Sequence, residues 1–159
     1  MAPSLPRTVR RVAAGFTMIE LMVTVATLAL LASLAAPGMQ KLVAAQKLRS
    51  ASYDLVADFT LARSEALKRA STVSVTPTSS DWRNGWAVMV GTTVLSQRNA
   101  IGTGLTATCP SATASFDASG RFSSATLKFG FEDGYGRARC ITLDPTGRPK
   151  SVTSACTCS

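Results

Sequence analysis

The 159-residue sequence contains no histidine, so the commonest general base and the commonest neutral metal ligand are both missing. It has no Ser-x-x-Lys, no Gly-x-Ser-x-Gly and no Gly-x-x-x-x-Gly-Lys-Ser, the short signatures of serine nucleophiles and phosphate cradles. Acidic residues are few and scattered, and Glu132-Asp133 is the one adjacent pair, placed before a Gly134-Tyr135-Gly136 turn. These gaps argue against an enzyme. No catalytic residue, metal site or cofactor is expected. Cysteine is missing from the first two thirds of the chain. The four that occur are Cys109, Cys140, Cys156 and Cys158. Without C-x-x-C spacing, an even number of cysteines suits disulfides in an oxidising compartment better than zinc. Cys156 and Cys158 stand too close to bridge each other without strain, so Cys109 and Cys140 should pair with those two, in either order.

Charge is missing from residues 16–36, apart from Glu20. A run of about 20 apolar residues is what a helix needs to cross a bilayer core of roughly 30 Å. Arg7, Arg10 and Arg11 precede the run. By the positive-inside rule they keep the amino end cytoplasmic and send the rest outward. The carboxylate of Glu20 would lie about 6 Å into the helix, at a cost of roughly 2.5 kcal/mol or more unless partnered or snorkelled to the headgroups. A secretory signal cut within Ala32-Ser33-Leu34-Ala35-Ala36 is the alternative reading of this run.

Beyond the run, Pro37 predicts a kink, and a helical pattern then resumes. Leu48, Ser52, Leu55, Phe59, Ala62 and Ala66 recur at three and four, whereas Lys47, Asp54, Asp58, Glu65, Lys68 and Arg69 fall mostly off that stripe. The helix should end near Ala70-Ser71. From Thr72 the period shortens to two. Strands are expected over 73–76, 87–90 and 94–97, the first two linked through Asn84-Gly85, and 100–115 reads as a loop around Cys109-Pro110. Alternating runs at 115–122, 127–131 and 137–143 suggest an antiparallel meander. The fold class is therefore α+β. Residues 1–15 form a leader, 16–36 a membrane-spanning helix, 37–71 its amphipathic second half, and 72–159 a β-rich globular region on a small antiparallel sheet.

The segment Gly15-Phe16-Thr17-Met18-Ile19-Glu20-Leu21 after a basic leader resembles the prepilin signal of type IV pilins and type II secretion pseudopilins. Leu61-Ala62-Arg63-Ser64-Glu65-Ala66-Leu67-Lys68-Arg69 and Trp82-Arg83-Asn84-Gly85-Trp86 are similar to segments of the FimT/GspH-type minor pilins. The resemblance implies a pilin-like fold. It also implies cleavage by prepilin peptidase between Gly15 and Phe16, with methylation of the new amino-terminal Phe16. Glu20 would neutralise the free amine of a neighbouring subunit and set the register of assembly. Implied partners are other major and minor pilins, the peptidase and the inner-membrane assembly platform. The implied location is a single-pass anchor in the inner membrane with the carboxyl-terminal domain periplasmic, then a pilus or pseudopilus.

The chain carries 17 basic and 9 acidic residues, a net charge of +8, which suits an anionic partner or simply solubility. Some relatives of this type are thought to bind DNA for natural transformation through a Gly-Arg-x-Arg end, which here reads Gly147-Arg148-Pro149-Lys150. Lysine keeps the charge but loses the planar fork, and the proline places the segment on an edge or in a loop. Arg148 and Lys150, with Arg137 and Arg139 as additions, are the candidate contacts to the DNA phosphate backbone. Arg137 and Arg139 share strand parity with Ile141 and Leu143, so only the start of that strand could present them outward. The alternatives are a structural minor pilin without DNA binding and a minor pseudopilin of type II secretion.

Overall fold

A computed structural model describes residues 15–109 and 113–157. The leader with Arg7, Arg10 and Arg11, together with Pro110 and Cys158, lies outside the described residues. One helix, α1 (Met18–Arg69), holds Pro37 within its length, and the chain divides into two units between Gly38 and Met39. In the first unit the apolar side chains of α1 are exposed, among them Met18, Leu21, Leu28 and Leu34. α1 is long and apolar enough to cross a membrane, with a mean hydropathy of 2.1 over its most apolar stretch.

In the second unit the predicted stripe is the buried face. Leu48, Ser52, Leu55, Phe59, Ala62 and Ala66 are all buried, and Ala51 joins them. Asp58 is the correction. It falls on the buried side of α1 and is 2% exposed. The helix ends at Arg69, and Ala70 takes a left-handed conformation that turns the chain into the first strand.

Eight strands follow among the described residues: β1 (Val73–Pro77), β2 (Trp86–Val90), β3 (Thr93–Arg98), β4 (Leu105–Thr108), β5 (Ala114–Phe116), β6 (Leu127–Asp133), β7 (Ala138–Leu143) and β8 (Pro149–Val152). They form two four-stranded sheets, ordered β3-β2-β1-β5 and β4-β6-β7-β8, and every pairing is antiparallel. The expected single meander holds only for β6-β7-β8. β5 crosses to the other sheet, where Val73 pairs with Phe116. The region read as a loop, 100–115, contributes β4, which pairs Leu105 with Asp133 at the edge of the second sheet. Between β1 and β2 the chain makes 3-10 turns over Thr78–Ser80 and Trp82–Asn84. The Asn-Gly pair is not a two-residue hairpin: Gly85 has a positive φ of 91°, whereas Asn84 belongs to the 3-10 turn.

Phe59 of α1 joins the two sheets. Its ring centroid lies 6.3 Å from Phe116 on the first sheet and 5.0 Å from Phe129 on the second, with Trp82 at 6.3 Å. Trp86 and Phe131 stack across the same gap at 6.4 Å. Burying each such side chain contributes roughly 1.5–3 kcal/mol, so the helix and sheets are stable only together. Both tryptophans, Trp82 and Trp86, are core residues.

Candidate functional site

At the amino end of α1 the backbone N–H of Glu20 donates to Thr17 Oγ1 at 3.2 Å, and the N–H of Thr17 donates to Glu20 Oε2 at 3.5 Å. This is a reciprocal capping box, which satisfies donors the first helical turn cannot bond internally. The carboxylate therefore already faces the start of its own helix. Gly15 and Phe16 precede it in non-helical conformation, and Phe16 is exposed.

The basic carboxyl-terminal segment is built by the β7–β8 turn. Asp144 Oδ1 accepts from the Thr146 hydroxyl at 2.5 Å and from the Arg148 backbone N–H at 3.1 Å. Those bonds, Thr146 first, hold the Asp144 carboxyl below its ordinary pKa, and the Arg148 charge acts in the same direction. Gly147 is buried with φ +78°, and a methyl group there would collide with the carbonyl oxygen of Gly120. The same Gly120 oxygen accepts from Arg63 Nε at 3.1 Å. Three segments distant in sequence thus meet at one junction: the helix around Arg63, the Gly120-Arg121 turn and Gly147-Arg148. Gly147 has a packing reason to be glycine, apart from any ligand.

Past Gly147, Pro149 opens β8 opposite Leu143, on an edge strand as its missing N–H requires. Arg148 and Lys150 are exposed and two residues apart, so they share a strand face. Neither side chain makes a hydrogen bond or an ion pair with the described residues.

The structure does not bring Arg137 and Arg139 to this place. They lie at the opposite end of β7, roughly six and four strand residues, or about 20 and 13 Å, from the β8 start. Arg137 Nε donates to Asp133 Oδ2 at 2.7 Å, and its Nη2 reaches the backbone carbonyl of Lys41 on α1. Asp133 also accepts from the N–H groups of Tyr135 and Arg137, each at 2.9 Å. Burial pushes its carboxyl pKa up, but the backbone donors of Arg137 and Tyr135 and the Arg137 guanidinium outweigh it, leaving a net lowering. Arg139 lies over the ring of Tyr53 at 5.3 Å, and Arg137 over that of Tyr135 at 5.8 Å. Sequence reasoning gave neither tyrosine a contact with these arginines, and Tyr53 reaches Arg139 only through the fold.

A buried polar group was also missed. Asp58 Oδ2 accepts from Trp86 Nε1 at 2.9 Å and from Arg98 Nε at 2.8 Å, with Asp54 3.6 Å from the same guanidinium. Beside it a cleft of about 290 Å³ is lined by Lys47, Ser50, Asp54, Arg98 and Asn99. Cys140 and Cys156 form a disulfide, and Cys109 is also disulfide-bonded. Among the described residues no group of three histidine, cysteine or acidic side chains could hold a metal ion.

An exposed apolar helix start continuing into a helix packed on antiparallel sheets defines a pilin-type subunit. Residues 51–147 match the family described as type II transport protein GspH, and the chain belongs to that family. Two crystal structures of the type IV minor pilin FimU from Pseudomonas aeruginosa share its fold. One is 21% identical with a TM-score of 0.62, covering 71% of this chain and 95% of that one. The other is 22% identical with a TM-score of 0.60, covering 70% and 98%. A search of curated proteins finds no match.

Proposed function

We propose that this chain is a minor type IV pilin, structural rather than enzymatic, which enters or primes a pilus and captures DNA for uptake in transformation. Residues 16–36 hold it in the inner membrane, with its carboxyl-terminal domain periplasmic. Prepilin peptidase cuts after Gly15, Phe16 is methylated, and Glu20 leaves its capping box to meet the amine of a neighbouring pilin on the assembly platform. DNA contact falls to Arg148 and Lys150, because Arg137 and Arg139 lie at the far end of β7 and do not extend that patch. The observation that carries this reading is the pair of exposed, unpartnered cations at the start of the edge strand β8, Arg148 just before it and Lys150 within it. Such a pair favours phosphate attraction without base readout, since no aromatic side chain interleaves the tail.

The test is a mobility shift with the fragment Met39–Ser159, which contains every residue of the core. Affinity should fall as salt rises, with a log–log slope near −2 for two phosphate contacts. R148E/K150E should abolish the shift while leaving the melting curve unchanged. Unaltered binding by that variant would remove the DNA role and leave a structural minor pilin. The description of the matched family favours a second reading, a pseudopilin of type II secretion. A deletion strain that lost protein secretion but kept transformation would decide for it.

A further inference from the structure

The basic and aromatic surface at the start of β7 belongs to neither the core nor the β8 edge. Tyr53 is 56% exposed and Tyr135 46% exposed, and neither hydroxyl has a hydrogen-bond partner among the described residues. Arg49 lies one helical turn before Tyr53, on the same flank of α1, and is exposed. Lys41 is exposed too, and its carbonyl is the one Arg137 reaches. Arg137 and Arg139 thus lie over the two rings, with Arg49 and Lys41 exposed on the adjoining stretch of α1. Of the acids nearby, Asp133 is buried and already paired with Arg137. Glu132 sits opposite Ala138 and points to the other sheet face. Asp54 lies across α1 with Arg98. Lys41, Arg49 and Arg139 make no ion pair with the described residues, so the surface keeps an uncompensated positive charge.

We infer that the surface of Tyr53, Tyr135, Arg49, Arg137, Arg139 and Lys41 docks the anionic phospholipid headgroups of the bilayer that anchors the chain. This rests on the reading of residues 16–36 as a membrane anchor. Covalent geometry brings the two within reach. Lys41 follows Ala36 by little more than one helical turn, so their Cα atoms are at most roughly 18 Å apart however the chain is arranged. Exposed tyrosines with arginine and lysine are the side chains that settle at a membrane interface, ring toward the acyl boundary and cation toward phosphate. Single-stranded DNA is the rival occupant, and the ring contacts disfavour it. The guanidiniums of Arg137 and Arg139 already lie over a face of each tyrosine, where a base would have to stack. Docking would hold the globular unit at the bilayer before assembly and release it when the subunit is withdrawn.

The experiment is vesicle flotation with the fragment Met39–Ser159, which lacks the anchor, so the anchor reading does not enter the result. Vesicles rich in phosphatidylglycerol should carry the fragment up, and pure phosphatidylcholine vesicles should not. Each cation removed should weaken binding about fivefold, so K41Q/R49Q/R139Q should lose roughly a hundredfold. R49Q alone, a change at an exposed side chain with no partner, should lose about fivefold and guards against misfolding of the triple variant. R148E/K150E should bind vesicles as strongly as the parent. Equal binding to both vesicle types, or unchanged binding by R49Q and the triple variant, would overturn the inference. So would a triple variant that keeps its vesicles but loses single-stranded DNA. Failure of the anchor reading would show separately, as full-length protein absent from the membrane fraction of cells.

Discussion

Removing the Asp58 carboxylate tests the core most directly. It is 2% exposed and receives Trp86 Nε1 and Arg98 Nε on one oxygen. Asp58→Ala leaves the buried indole N–H unpaired, whereas the Arg98 side chain, 41% exposed, can turn toward water and Asp54. The cost should therefore fall at or just below the lower end of the range for breaking a buried ion pair, about 3 kcal/mol. For a domain of this size that is a drop in Tm of roughly 12 °C. Asp58→Asn keeps an acceptor for Trp86 but loses the charge, and should cost about half as much. Trp86→Phe removes the donor and adds its own packing loss, so the pair is best read as a cycle. D58A/W86F should show a coupling of about 1.5 kcal/mol or more, because the second change has no hydrogen bond left to break. Urea unfolding of Met39–Ser159 followed by far-UV circular dichroism measures all four corners. A D58A loss below about 0.5 kcal/mol, or a coupling near zero, would refute the assignment of Asp58 as the polar pin between helix and sheet.

Three further outcomes are expected. Gly147→Ala combines a left-handed φ with a collision at the Gly120 carbonyl and should destabilise by about 1–3 kcal/mol or more in the same urea assay, whereas Arg148→Ala should stay within about 0.5 kcal/mol. C140A/C156A opens a link spanning 16 residues and should cost about 3 kcal/mol, a difference that should vanish under reducing conditions, where the Cys109 disulfide opens in parent and variant alike. Asp133, Asp81, Asp117 and Asp144 all have lowered carboxyl pKa values in the folded state, so the unfolded chain binds protons more readily. Their stabilisation is complete above the ordinary carboxylate range and is lost as pH falls through the folded values. Unfolding free energy should thus decline below about pH 4, and Asp133→Asn should flatten that decline.

The long apolar run, the amphipathic stripe and most strands were legible because each is written in local periodicity. An apolar run of membrane length, apolar residues at three and four, and alternation at two need no knowledge of what they pack against. The edge position of Pro149 was legible for the same reason, since a missing N–H is a local fact. β4 was not. Leu105-Thr106-Ala107-Thr108 is a short run whose only reason to be a strand is β6 beside it. Asp58 was placed off the stripe because a carboxylate reads as solvent-facing until Trp86 and Arg98, far along the chain, are brought to it.

The four basic candidates show the same division. Residue type alone makes Arg137, Arg139, Arg148 and Lys150 equal. Strand pairing sets the first two beside α1, with rings and a buried carboxylate, and leaves the other two bare on an edge. Composition and period marked the helix, its apolar run and most of the strands, because those preferences act over a few neighbouring residues. Sheet partners, the Cys140–Cys156 link and the surroundings of each charge were decided by contacts between distant segments, whose free energy exists only once the whole domain has closed.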